Sequence, residues 1–193
     1  MSLLPAFEIG LWNAWIFTIW LVIQNFGIRL LSKELYQRLG DPPDMKRTYA
    51  DRIAGYISMP LWLLTTAYSI FLPLQLDTIW FYIGLVFFLL SLIMIIFVTF
   101  NFTATPMNEP VTKGIYRYSR HPGYVAMLLT YLSVGIASAS WIFLLAVIIW
   151  AVLLNISATD EERYCLEKYG EAYRAYMNRT PRWLGIPKIV KSK

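Results

Sequence analysis

Four apolar stretches, residues 11–31, 53–72, 78–100 and 124–156, constrain this chain more than any other feature, because none carries an Asp, Glu, Lys or Arg in its middle. A bilayer core of ~30 Å takes about 20 apolar helical residues to cross. The first three stretches each read as one span. The fourth is too long for one, and the small residues of GIASASW at 135–141 favour a tight turn, so it reads as a helical hairpin with short arms. The expected fold is all-α: a polytopic membrane protein with five transmembrane helices, the last two forming the hairpin, and a cytosolic amphipathic C-terminal helix. Residues 1–193 are expected to form a single integral membrane domain, with three spans in 1–100 and a loop, the hairpin and the tail in 101–193.

Composition supports lipid as the solvent. Hydrophobic residues make up 58% of the chain and charged ones only 15%, where a soluble globule carries roughly a quarter charged. The opening MSLLPAFEIG has no basic region and runs into a segment long enough to span, so it is not expected to be a signal peptide. The single Cys165 excludes an intrachain disulfide. All 17 Lys and Arg fall in three places: six between positions 29 and 52, three between 113 and 120, and eight from 163 onward. Basic residues accumulate on the cytoplasmic face. This predicts an outside N-terminus, two cytosolic loops and a cytosolic C-terminus, which requires an odd number of spans. The net charge of +5 then belongs to that face and does not call for nucleic acid. With no ionisable residue deep in a span, a pump or coupled transporter is disfavoured. Pro60 is compatible with a first-turn position or a kink.

Chemistry is therefore expected at the cytosolic edge, where two segments concentrate it. In NEPVTKGIYRYSRHPGY (108–124), Lys113 and Gly114 make a turn and Pro122 opens a helix. Arg120 and the chain's sole histidine, His121, precede that helix N-terminus, a position that favours anions. Interfacial anchoring and capping are the bland alternative. In 155–185, Ser157 or Thr159 is expected to cap a helix whose first turn holds Asp160, Glu161 and Glu162. Leu166, Tyr169, Tyr173 and Tyr176 recur at helical spacing, which fits a membrane-surface stripe or packing. Arg179 and Arg182 then flank Pro181.

Read together, Arg120-His121-Pro122-Gly123-Tyr124, Glu161-Glu162, Tyr169-Gly170 with Tyr173 and Tyr176, and Arg179-Thr180-Pro181-Arg182 resemble the isoprenylcysteine carboxyl methyltransferase family and its wider group of integral membrane methyltransferases. The resemblance implies S-adenosylmethionine as donor and S-adenosylhomocysteine as product. It implies that Glu161 or Glu162 accepts from the amino group or a ribose hydroxyl, and that His121 with Lys113 serves the carboxylate. Pro122, Tyr124, Leu128, Leu129 and Tyr131 would complete the cofactor site around the adenosine. Arg120 and Arg179 are the catalytic candidates, each able to orient an acceptor carboxylate through a bidentate pair. The implied acceptor is a prenylated cysteine or similar lipid-linked acid entering from the bilayer, with membrane lipids as surroundings. No metal, no nucleic acid and no obligate protein partner are expected. Trp183-Leu184-Gly185 departs from the family's frequent apolar-Pro ending, which bears on the acceptor. Phospholipid or amine N-methylation is the alternative, and it would need a base. A sterol-reductase-like enzyme using NADPH is a further one, although the Asn and the Gly-Glu of that segment are missing here. A non-enzymatic scaffold would bind no cofactor.

Overall fold

The computed structural model describes residues 7–31, 45–106 and 108–188, leaving aside the side chains of 25 and 27–31. Residues 1–6 of the opening, Lys33, Arg38, Lys191 and Lys193 lie outside these. Among the described residues the fold is all-helical: α1 (Trp15–Leu31), α2 (Tyr49–Ile70), α3 (Ile79–Thr103), a 3-10 turn (Gly114–Arg117), α4 (Pro122–Ala137), α5 (Trp141–Tyr169) and α6 (Glu171–Arg179). Each of α2, α3 and α5 is long and apolar enough to cross a membrane, whereas Trp15–Gln24 and Pro122–Ala137 are shorter apolar helices. At 1.5 Å per residue, the 16 residues of α4 reach only about 24 Å. Large apolar side chains such as Leu64, Ile96, Phe100, Leu145 and Val152 point outward and stay exposed. A surface of that kind belongs against lipid.

Local chemistry sets the helix starts. Thr48, Thr78 and Ser140 cap α2, α3 and α5, each accepting from a backbone N–H three residues on. Pro122 occupies the first turn of α4, where its missing N–H costs nothing, and Pro60 lies inside α2. Between α4 and α5 only residues 138–140 intervene, with Ala139 at φ 52°. The chain reverses there as the small-residue cluster predicts, and Tyr131 of α4 stacks on Trp150 of α5 at 5.6 Å.

Small and hydroxyl side chains let the helices approach closely, the usual means of association in lipid. The Ser91 hydroxyl of α3 lies 2.6 Å from that of Thr130 in α4 and donates to the Ala126 carbonyl at 2.8 Å. A Cβ built on Gly84 would sit 2.6 Å from the Ala137 side chain and 2.8 Å from the Ser133 carbonyl. Gly84→Leu is accordingly expected to cost about 1–3 kcal/mol through overpacking. Gly55→Ala, where a Cβ meets nothing within 4 Å, should be neutral or better. Thermal unfolding of both variants in detergent checks the contrast.

Two expectations change. No helix begins at Ser157 or Thr159, because α5 runs unbroken from Trp141 to Tyr169 and no proline or glycine interrupts it. Asp160, Glu161 and Glu162 therefore sit in the later part of a long helix, where Asp160 pairs with Arg163 of the same helix and Glu162 with Arg120 and Arg182 from outside it. The aromatic stripe is also split, with Gly170 at φ 54° separating α5 from α6. Tyr173 and Tyr176 are buried with Val98 and Tyr116, so packing rather than a membrane surface takes up that part of the stripe.

Candidate functional site

The site forms where the N-terminus of α4, the later turns of α5 and the returning chain after α6 converge. Its floor is set by the loop before α4. Gly114 adopts φ 61° against Asn101, whose side-chain oxygen accepts from the Ile115 N–H at 3.0 Å. The Tyr176 hydroxyl donates to the Tyr116 carbonyl at 2.7 Å, docking α6 under the loop. Buried Ser119 accepts from the His121 N–H at 3.1 Å and donates to the Arg182 carbonyl at 3.2 Å. The Arg120 N–H donates to the Pro181 carbonyl at 3.0 Å, and Gly185 donates to Tyr118 at 3.0 Å. These bonds strap the C-terminal segment across the loop.

His121 is the N-cap of α4, but its side chain makes no capping bond. The imidazole is instead flanked by two carboxylates: Nε2 lies 3.1 Å from Glu162 Oε1 and Nδ1 lies 3.3 Å from Glu161 Oε2. Adjacent helical residues point about 100° apart, so both reach one ring when that ring lies in the cleft between them. Glu162 is buried at 3% exposure and gathers two arginines beside the imidazole. Arg182 binds it with two parallel bonds (Nε to Oε1 at 3.1 Å, Nη2 to Oε2 at 2.6 Å) and Arg120 Nε lies 3.1 Å from Oε1. Glu161 is the more open carboxylate, with 35% side-chain exposure, and accepts from the Tyr124 hydroxyl.

Burial alone would lower the His121 pKa, but the hydrogen bonds and negative charges of Glu161 and Glu162 override it and raise it above 6.5. The folded state thus holds the proton more tightly than the unfolded chain. Its stabilisation is fully present below 6.5 and is lost as pH rises through the raised value. Thermal midpoints in detergent should fall as pH is raised above neutrality, and His121→Gln should flatten that slope.

Among the residues singled out in the sequence, Arg120, His121, Tyr124, Glu161 and Glu162 come together, with Pro122 buried at the head of α4. Leu128 lines a groove of about 540 Å³ beside them, shared with Ile148, Ala151, Val152, Asn155 and Trp183. Leu129 is half-buried outside that groove, and Tyr131 is fully buried in the helix core against Phe143 and Trp150. Lys113 is exposed before the 3-10 turn. Arg179 is exposed too, its Nε donating to the Ala175 carbonyl at 3.2 Å. Arg182 takes the place in the cluster, and Trp183 follows it with its ring 6.1 Å from that of His121. One signal was available for this. A proline breaks a helix, so arginines on either side of Pro181 do not share a helical face.

The arrangement suits a zwitterionic ligand with an apolar part. Arg120 is a buried cation whose Nε lies 3.1 Å from Glu162 Oε1 without the alignment of a hydrogen bond, and it is the group in the cluster suited to a ligand carboxylate. Glu161 is open enough to accept from an amino or hydroxyl group, and the adjoining groove is lined mostly by carbon. These residues fit S-adenosylmethionine at both ends.

Residues 78–172, which carry α3 through the start of α6, match the family model described as phospholipid methyltransferase. Over 81 residues the chain is 32% identical to Protein-S-isoprenylcysteine O-methyltransferase of Schizosaccharomyces pombe, a match covering 41% of this chain and 33% of that relative. It thus spans only about a third of the relative's length. The segment that supplies His121, Glu161 and Glu162 is thus similar to the phospholipid methyltransferase family and, in the fission-yeast relative, to an isoprenylcysteine methyltransferase.

Proposed function

We infer that the protein uses S-adenosylmethionine to esterify the carboxylate of a prenylated cysteine, or a similar lipid-linked acid, at the membrane–cytosol interface. The observation that carries this reading is the His121 imidazole, held between two carboxylates with its pKa raised. With both ring nitrogens already facing carboxylates, neither is open to take a proton from an acceptor. An amine acceptor must lose a proton before it attacks, whereas a carboxylate is already ionised at neutral pH and needs none. The name of the fission-yeast relative points the same way.

Held between Arg120 and Glu161, the cofactor would supply an electrophilic methyl group on a sulfonium, and an acceptor carboxylate already ionised would need no base from the chain. The chain's part is to align and to dry the site. Arg120 holds a carboxylate at the α4 N-terminus, whose dipole favours the same charge. Glu162 keeps Arg120, His121 and Arg182 in register, and Glu161 with Tyr124 forms the opposite wall. The groove under Trp183 shields the reacting groups on its apolar side. Alignment of this kind supplies up to ~7–11 kcal/mol of the barrier, and water exclusion adds to it. The lipid part of the acceptor enters laterally from the bilayer. The accompanying topology is five spans in a single domain, α1 and α4 being the short ones, with the N-terminus outside and the site facing the cytosol.

Phospholipid N-methylation is the second reading, favoured by the description of the family model; Glu161 would then be the base. Purified protein given methyl-labelled S-adenosylmethionine together with a prenylcysteine and phosphatidylethanolamine decides between them. A base-labile labelled ester is expected. Label in the lipid amine instead would overturn the carboxylate reading.

A further inference from the structure

The start of α2 lies outside the stretch matched by the family, and nothing in the sequence marks it, yet it is fastened to the turn of α5 that carries Glu161. Thr48 caps α2 and accepts from the Asp51 N–H at 3.2 Å. In a capping box the carboxylate three residues on returns to the N-cap N–H. Here Asp160 of α5 takes that N–H, its Oδ2 lying 2.6 Å from Thr48 N. The Asp51 carboxylate, fully buried, instead accepts from the Ser157 hydroxyl at 2.7 Å and pairs with Arg47 Nη1 at 2.7 Å. Asp160 is itself nearly inaccessible and pairs with Arg163 at 2.9 Å. Ser157, Asp160 and Glu161 stand at i, i+3 and i+4, so they share one face of α5. Apolar residues would join two helices at no greater cost than buried carboxylates, so stability alone does not explain this choice.

We propose that Asp51, Ser157 and Asp160 are positioning residues, clamping α2 onto α5 so that Glu161 is held against His121 Nδ1 and the Tyr124 hydroxyl. The proposal rests on the His121 cluster being the methyl-transfer site. It makes that site depend on a segment that the family match does not include. The charged and titratable groups around His121 are Glu161 and Glu162 from α5, Arg120 beside it, Tyr124 from α4 and Arg182 from the C-terminal segment. Behind Tyr124 stand Asp51 of α2 and Arg47 just before that helix, whose charges act on its hydroxyl.

Because His121 is the sole histidine, ring-labelled histidine in the full chain reports one imidazole by NMR. Ser157→Ala cuts a clamp bond without changing any charge, so a response at His121 has to travel through geometry. The expected result is a titration midpoint lowered toward 6.5, with kcat down roughly tenfold and KM for S-adenosylmethionine changed far less. Asp51→Asn should act in the same direction and more strongly. Glu171→Gln, in an exposed pair on α6, should shift nothing. A His121 midpoint in folded Ser157→Ala equal to that of the unaltered chain would overturn the proposal, and this variant decides the matter even if Asp51→Asn does not fold. If the unaltered chain transfers methyl to no acceptor, the functional reading fails, while the imidazole titration still decides whether the clamp holds Glu161.

Discussion

Glu162→Ala is expected to lose roughly 3–5 kcal/mol of stability, because it leaves buried cations without their shared carboxylate. Arg120, His121 and Arg182 all converge on that side chain. Removing it repels rather than merely loosens them, since two arginines and the imidazole then face one another at the α4 N-terminus, the end of a helix that already disfavours cations. The C-terminal segment loses its two parallel bonds to α5, and S-adenosylmethionine binding should go with them. Glu162→Gln retains shape and one acceptor oxygen but not the charge, so it should fall between. Thermal unfolding in detergent orders the three proteins. An alanine variant as stable as the parent would mean that the ion cluster does not join the C-terminal segment to α5.

Arg182→Ala carries the second-largest expected effect. Its guanidinium makes charge-assisted bonds to Glu162 and also reaches Thr159 at 3.2 Å and Asn155 at 3.4 Å. Hydrogen bonds to charged groups are worth about 1.5–3 kcal/mol, and the partial exposure of this arginine places the loss near the lower end. Arg182→Lys should not restore it, since an ammonium lacks the planar fork that grips both carboxylate oxygens. Arg179→Ala should stay within about 0.5 kcal/mol, as is usual at an exposed position. The two arginines are three residues apart in one motif, so comparing their melting midpoints and cofactor affinities isolates placement from composition. Equal effects would contradict the assignment of the cluster cation to Arg182.

The membrane character, the hairpin and most of the site were legible in the sequence because they rest on local signals. Hydropathy marks an apolar helix, small residues mark a tight turn, and Pro122 after His121 marks a helix start. The Arg120-His121 and Glu161-Glu162 pairs stood out because charge is scarce in this chain. What escaped notice depends on distant partners. Acidic residues after a serine and a threonine look like a helix start, and only the unbroken packing of α5 shows that they lie far along one. Arg179 and Arg182 are equivalent in composition, and the turn at Pro181 separates their fates. Asp51 reads as an ordinary acidic residue in a first helical turn, because its bond to Ser157 spans 106 positions. Asn101, one polar residue near the end of a long apolar stretch, seats the Gly114 turn beneath the site through a bond to Ile115, 14 positions on.

Equilibrium binding of labelled S-adenosylmethionine to the purified full chain tests the central claim most directly. Saturable binding is expected for the unaltered protein and should be lost or much weakened in His121→Ala and Glu162→Gln, each checked for folding. Binding that stays unchanged in both folded variants would contradict the claim that the His121–Glu162 cluster holds the methyl donor.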